Sequence, residues 1–173
     1  MIDLSDFIRD IADFPTEGII FKDITPLLLD PVALDEAIGR LAEPYRNADI
    51  EVVAGVESRG FIFGPAVARE LGAGFIPIRK PGKLPHKTVS REYALEYGTD
   101  AIEMHADAIA DGTRVLMLDD LLATGGTMAA ACEMVKDLGG NIIGIAFLIE
   151  LCFLNGRDKL PGYEIHSLIR VEK

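Results

Sequence analysis

Apolar residues in this chain gather into short unbroken runs instead of alternating with polar ones. Residues 50–56 (IEVVAGV), 74–78 (GFIPI), 114–118 (RVLML) and 141–149 (NIIGIAFLI) are such runs. Their length and their lack of alternation predict strands buried on both faces. Between them the spacing turns helical. Asp30-Pro31 opens a helix that continues through Ala33, Ile38 and Leu41 toward Pro44, with proline at the first helical position. Residues 61–71 read as a helix closed by Gly72, and residues 127–138 as an alanine-rich helix ended by Gly139-Gly140. Leu4, Phe7, Ile8 and Ile11 also recur at helical spacing, so an N-terminal helix capped by Asp3 or Ser5 is expected.

Buried strands separated by helices predict an α/β fold with a mostly parallel central sheet flanked by helices. Sheets of this kind bind ligands beyond the carboxyl ends of their strands. The loops following residues 56, 78 and 118 are therefore the places to look for chemistry. No repeat, low-complexity tract or Ser/Pro-rich linker divides the chain, which is expected to form one domain over residues 1–173.

Composition narrows the function. The chain has 28 acidic and 17 basic side chains, a net charge of -11, which argues against a sequence-independent grip on nucleic acid or an anionic membrane. Its longest uncharged apolar stretch, residues 138–149, is too short to span a bilayer. The acidic N-terminus lacks the pattern of a secretory leader. Cys132 and Cys152 form no close-spaced pair and have no histidine cluster nearby, so both are expected to be buried thiols of a cytoplasmic protein.

The charge is unevenly spread. Residues 59–91 carry Arg59, Arg69, Arg79, Lys80, Lys83, Lys87 and Arg91 against the single acid Glu70, a local balance of +6 that leaves -17 for the rest. Arg59 follows the first buried run and Arg79 the second, where the sheet rule puts ligand. Guanidinium forks match phosphate oxygens, so a pyrophosphate suits both. Lys83 lies in Pro-Gly-Lys-Leu-Pro, which reads as a mobile lid loop. His86 beside it fits an incidental surface histidine or a functional one.

The segment 115–135 (VLMLDDLLATGGTMAAACEMV) carries the strongest signal. An apolar strand leads into Asp119-Asp120, then Ala123-Thr124-Gly125-Gly126-Thr127 at the mouth of a helix. Glycines there allow several backbone N–H groups to converge on one anion, and the helix dipole adds positive potential. The threonines add hydroxyl donors. Two carboxylates do the opposite: they accept from vicinal hydroxyls or reach a hydrated divalent cation through water. A ribose 5-phosphate fits the pair of features. The segment has neither the Walker lysine nor a dinucleotide glycine pattern.

This loop resembles the phosphoribosyl pyrophosphate binding motif of the type I phosphoribosyltransferases. FPTEGIIFKDITPLL (14–28), GVESRGFIFGPAVA (55–68), RKPGKLP (79–85), LEYGTDAIEMH (95–105) and LIELCFLNGRDKL (148–160) resemble the adenine-using branch of that family, in the family's order. The resemblance implies the type I fold with a small N-terminal hood, and a homodimer. It implies that adenine and phosphoribosyl pyrophosphate give AMP and pyrophosphate with Mg2+, the ion being carried by pyrophosphate and reaching Asp119 and Asp120 at most through water. It agrees on Arg59, Arg79 and Lys83 as pyrophosphate groups. It further implies that Ile19, Ile20, Phe21 and Lys22 line the adenine site, with Phe21 stacking on the base, and that Glu96 is the family's loop acid near the purine. As plain sequence, residues 19–21 equally suit a strand or core staple, and Glu96 a surface acid. Lys22 stands where many relatives have arginine. Other readings are a transferase for another base, a non-catalytic sensor of the same ligand, or a generic sugar-phosphate binder. A sensor would need a DNA-binding module that is not visible, and a generic binder leaves the basic band unexplained.

Overall fold

The computed structural model describes residues 2–94 and 98–173. In chain order the elements are strands β1 (Arg9–Ala12) and β2 (Ile20–Asp23), helices α1 (Thr25–Leu29) and α2 (Pro31–Ala42), strand β3 (Val52–Val56), helix α3 (Gly60–Leu71) and strand β4 (Gly74–Ile78). Strands β5 (Thr88–Ala94), β6 (Thr99–His105) and β7 (Arg114–Leu122), helix α4 (Gly126–Asp137), and strands β8 (Asn141–Leu151) and β9 (Ile165–Val171) follow. Five strands form the central sheet in the order β4-β3-β7-β8-β9, every neighbour parallel. Two antiparallel hairpins, β1-β2 and β5-β6, stand apart from it.

The unbroken apolar runs are explained by cover on both sheet faces. Val115, Met117, Ile145 and Phe147 face a core completed by Met128, Ala131 and Val135 of α4 and by Ile102 and Met104 of β6. Leu116, Leu118, Ala146 and Leu148 face the opposite core, with Ala37 and Leu41 of α2 and Phe63 and Val67 of α3. Alternate residues thus point to different cores, so none of the four residues from 115 to 118 can be polar without cost. The helix ends follow the expected chemistry. Asp30 accepts from the N–H groups of Val32 and Ala33 at 2.9 Å each, and Gly72 closes α3 in the left-handed region at φ 66°.

Four expectations fail. The N-terminal segment is only a 3-10 turn, Leu4–Phe7, capped by Asp3; Arg9–Ala12 then pairs with Ile20–Asp23. A helix so short is marginal alone, and strand pairing reinforced by the Arg9–Asp23 ion pair at 3.0 Å takes its place. The third buried run continues past Leu118 to Leu122, so Asp119 and Asp120 belong to the strand and not to a loop. The hairpin β5-β6 and strand β9 are additional to the four predicted strands; charged residues between Val89, Tyr93, Ile102 and Met104 hide the hairpin's alternation. Of the cysteines, Cys132 is buried, where desolvation pushes its thiol up to about 12, whereas Cys152 is only half-buried.

One packing detail fixes the register of the site strand. The β7-β8 pairing slips by a residue, Val115 opposing Ile142 and Leu116 opposing Gly144. Such bulges bend a strand, and here the bared Gly144 receives the ring of Tyr45. A Cβ at Gly144 would stand 2.7 Å from Tyr45 Cε1, and the Tyr45 hydroxyl donates to the Ile145 carbonyl at 3.4 Å. Burial pushes that phenol up to about 12. Gly144→Ala should lower stability by about 1–3 kcal/mol, measured by urea or thermal unfolding; an unchanged midpoint would show that the ring moves freely.

Candidate active site

The parallel sheet delivers β3 and β7 side by side, and both lead into helices at the same edge. At that edge Phe21, Glu57, Ser58, Arg59, Asp119 and Asp120 line one cavity, of about 410 Å³. Asp119 also lines a second, of about 80 Å³, whose wall is the continuous segment from Leu121 to Met128. The two cavities share a carboxylate and form a composite cleft.

Arg59 occupies its centre. Its Nε lies 2.8 Å from Asp120 Oδ2, and its Nη1 donates to the Lys22 carbonyl at 3.2 Å. Its guanidinium carbon stands 5.0 Å from the Phe21 ring centroid, within cation–π range. Phe21 is itself braced by the edge of Phe14, centroids 5.2 Å apart. Asp119 Oδ1 accepts the Asp120 N–H at 2.8 Å. Burial pushes the Asp119 carboxyl well above the ordinary range, and the neighbouring Asp120 charge adds to that. Burial pushes Asp120 up as well, against the opposing pull of Arg59.

The segment after β7 is built to leave backbone donors free. Gly125, at the N-cap of α4, has φ 79°, and no side chain caps the helix. The first-turn N–H groups are therefore available to an anion. Gly125 cannot be replaced for a second reason: a Cβ there would stand 2.3 Å from the Gly156 carbonyl oxygen. Gly156 begins a 3-10 turn (Gly156–Lys159) laid against the loop, and a Cβ on Gly156 would in turn meet the Ala123 carbonyl at 2.3 Å. Arg157 holds this turn to β8 with two hydrogen bonds of 2.6 Å to the buried Glu150, and these hold the Glu150 carboxyl below its usual range.

The structure brings together Phe21, Arg59, Asp119, Asp120, Ala123, Thr124, Gly125, Gly126 and Thr127. Arg79 joins them indirectly: its Nε reaches Glu57 Oε2 at 2.6 Å, and its guanidinium stands over Phe61. Lys83 is exposed, its carbonyl accepting from Arg79 Nη1 at 3.3 Å, while Gly82 N–H donates to Glu103 Oε2 at 3.1 Å. The base of the expected lid is thus tied to β6. Ile19, Ile20 and Lys22 do not line the cleft with Phe21; they line a separate apolar cavity with Leu151, Phe153 and Leu154. Strand alternation turns Ile20 and Lys22 away from Phe21, Ile19 precedes the strand, and the Lys22 ammonium is taken by Asp10 at 2.7 Å. His86 lies outside the cleft, 3.7 Å from Asp107. Glu96 lies outside the described residues.

Sequence reasoning assigned no role to Glu57, although an acid two residues before Arg59 was a usable signal. It also missed the Gly156–Lys159 turn, for which Asn155-Gly156 after a long apolar run was the marker. The β5-β6 hairpin closes the remaining side. Lys80 ion-pairs with Asp100 and donates to the Tyr93 hydroxyl at 3.0 Å, and Tyr93 packs beside Gly126.

A parallel sheet with paired acids at the end of its central strand, followed by an uncapped glycine turn, defines a phosphoribosyltransferase site. The family model described as phosphoribosyl transferase domain matches residues 28–164. Adenine phosphoribosyltransferase of Koribacter versatilis is 56% identical over 170 residues, covering 98% of this chain and 93% of its own. That of Thermotoga neapolitana is 55% identical, covering 97% and 99%. Among solved structures, the enzyme of Thermoanaerobacter pseudethanolicus superposes with a TM-score of 0.94 at 53% identity, covering 96% of this chain and 97% of its own. The Giardia lamblia enzyme in complex with 9-deazaadenine gives 0.93 at 38% identity, with both chains covered completely. The chain belongs to the adenine phosphoribosyltransferases, enzymes that transfer a phosphoribosyl group to adenine.

Asp119 links this site to stability. Its folded carboxyl keeps a proton to higher pH than the unfolded chain does, so the folded state loses stability as pH rises from the ordinary value near ~3.9 through the raised one. Asp119→Asn should therefore raise the melting temperature more at pH 7 than at pH 4, while weakening phosphoribosyl ligands by at least about tenfold. Equal gains at both pH values would refute the account.

Proposed function

We propose that the composite cleft performs the adenine phosphoribosyltransferase reaction with the base on the Phe21 side and the phosphoribosyl group across Asp119 and Asp120. The observation that carries this reading is the order of the groups along one wall: aromatic ring and guanidinium, two carboxylates, then a row of free backbone donors. Carboxylates accept from ribose hydroxyls, and the turn from Ala123 to Thr127 takes the 5-phosphate. The chain acts as one domain, residues 1–173.

The bond between C1 of the sugar and the pyrophosphate oxygen breaks, positive charge spreads over the ribosyl ring, and a purine ring nitrogen forms the new bond. Arg59 and Arg79 lie toward the departing pyrophosphate, with Lys83 arriving from the 79–85 loop to exclude water. Arg59 must first exchange Asp120 for phosphate oxygens, and Arg79 must do the same with Glu57. Phe21 offers its face to adenine, and the backbone near Ile20 its hydrogen-bonding groups. Glu96 takes the purine proton.

Among the described residues, no group of three or more His, Cys, Asp or Glu side chains is arranged to hold a metal. The donor set present, two adjacent carboxylates of which Asp120 is already ion-paired with Arg59, suits an ion that arrives on its substrate and is met through water. Mg2+ carried by pyrophosphate fits those groups and supplies charge neutralisation for the leaving group. A homodimer is in keeping with the exposed Ile62 at the start of α3. No helix among the described residues is long and apolar enough to cross a membrane; a cytoplasmic location belongs to the proposed reading.

The direct test is incubation with phosphoribosyl pyrophosphate, Mg2+ and each nucleobase in turn, with the nucleotide products followed by chromatography. AMP from adenine, with other bases at least about a hundredfold slower, is expected; no product with any base would sink the proposal. For the proton, Glu96→Gln should lower kcat by roughly 100-fold and flatten the acidic limb of the pH profile. Wild-type turnover across pH 6 to 9 would remove Glu96 from that role.

A further inference from the structure

We propose that Lys159 is a binding residue for the 5-phosphate, supplied to the glycine turn from the far side by the 3-10 turn after β8. The inference rests on the phosphoribosyl reading of that turn and goes beyond it, since the turn itself contains no cation. Lys159 Nζ stands 3.9 Å from the point where a Cβ on Gly126 would lie. Gly126 is the first residue of α4, so the ammonium sits beside the N-terminal turn of that helix.

That is an unfavourable address for a cation. A helix N-terminus carries positive potential, and lysines belong near the other end, where α4 has Lys136. Among the described residues Lys159 makes none of the ion pairs that occupy Arg59, Lys80 and Arg157. Its position is not left to a flexible stem alone. The residue closes a turn whose backbone is in near contact with Ala123 and Gly125, and whose neighbour Arg157 is forked onto buried Glu150. Lys159 is exposed, so water solvates its ammonium in the free protein, and the fold brings it to the place where an anion in the α4 turn would meet it. A phosphate dianion there would meet backbone N–H groups from one side and the ammonium from the other, and the charge-assisted contact would strengthen with each.

The test uses the full-length protein and ligands that differ only in the phosphate. By calorimetry, wild type should bind AMP and ribose 5-phosphate, and Lys159→Gln should bind both about 3- to 10-fold more weakly, as expected for one partly solvated charge contact. Adenine affinity and melting temperature should be unmoved. KM for phosphoribosyl pyrophosphate should rise by the same factor, and the salt dependence of AMP binding should flatten. Lys159→Arg should restore most of the loss. If Lys159→Gln matches wild type for AMP, ribose 5-phosphate and salt dependence, Lys159 has no such role, while the phosphate turn itself stands. If wild type binds neither phosphate ligand, both readings fall together. Equal weakening of adenine and AMP would mark a merely structural residue and also overturn the proposal.

Discussion

Placing two adjacent carboxylates, Asp120 buried and Asp119 half-buried, at the end of a buried strand is unfavourable unless something compensates their charge, and that requirement fixes where Arg59 must stand. The preceding residues Val115 to Leu118 are fully buried, so the strand cannot retreat to give Asp119 and Asp120 more water. Arg59 is available because β3 runs parallel beside β7 and its chain continues into α3 at the same edge. From there the guanidinium reaches Asp120, the Lys22 carbonyl and the Phe21 face together. One side chain thus ties the strand that holds Asp119 and Asp120 to the β1-β2 hairpin. The arrangement keeps the cleft assembled before substrate arrives, with Arg59 and Arg79 already beside acids that phosphate oxygens can displace.

The phosphate side obeys a different constraint, one of volume. Gly125 and Gly156 press backbone against backbone, with no room for a methyl group between them. Contact this close holds the turn's N–H groups in a fixed direction, as a preorganised anion site requires. It persists because β8 overruns its apolar stretch far enough to include Glu150, whose fork to Arg157 anchors the turn that carries Gly156. Phosphate turn, β8 terminus and the 155–159 segment are therefore one mechanical unit, although they are distant in sequence.

Much of the sheet was legible because both faces are buried: runs such as NIIGIAFLI have no other comfortable home. Asp119, Asp120 and Thr124 to Thr127 were legible as a local order of chemistries. What escaped was long-range. The segment around Leu4 to Ile11 has helical spacing, yet only its partner Ile20–Asp23 decides that part of it becomes a strand. Glu57 matters through Arg79, twenty-two residues away, and Lys159 through Gly126, with no spacing rule connecting either pair. Ile19 to Lys22 looked like one contiguous wall, but strand alternation sends Phe21 to one cavity and its neighbours to another. Contiguity in sequence is contiguity in space on a loop; on a strand it is the opposite.

The net charge of -11 acquires a different meaning once these pairs are in view. Arg59, Arg79 and Lys80 each lie against an acid, so the part of the basic band nearest the cleft is not a free cationic surface awaiting a polyanion. An exposed field of that kind would attract nucleic acid and any phosphate alike. Pairing Arg59 and Arg79 in advance confines their attraction to ligands that can displace Asp120 and Glu57 simultaneously, in the geometry the sheet edge allows. Asp120 and Glu57 therefore contribute to selectivity in the proposed reading: they set the cost that a ligand must overcome before its oxygens reach either guanidinium.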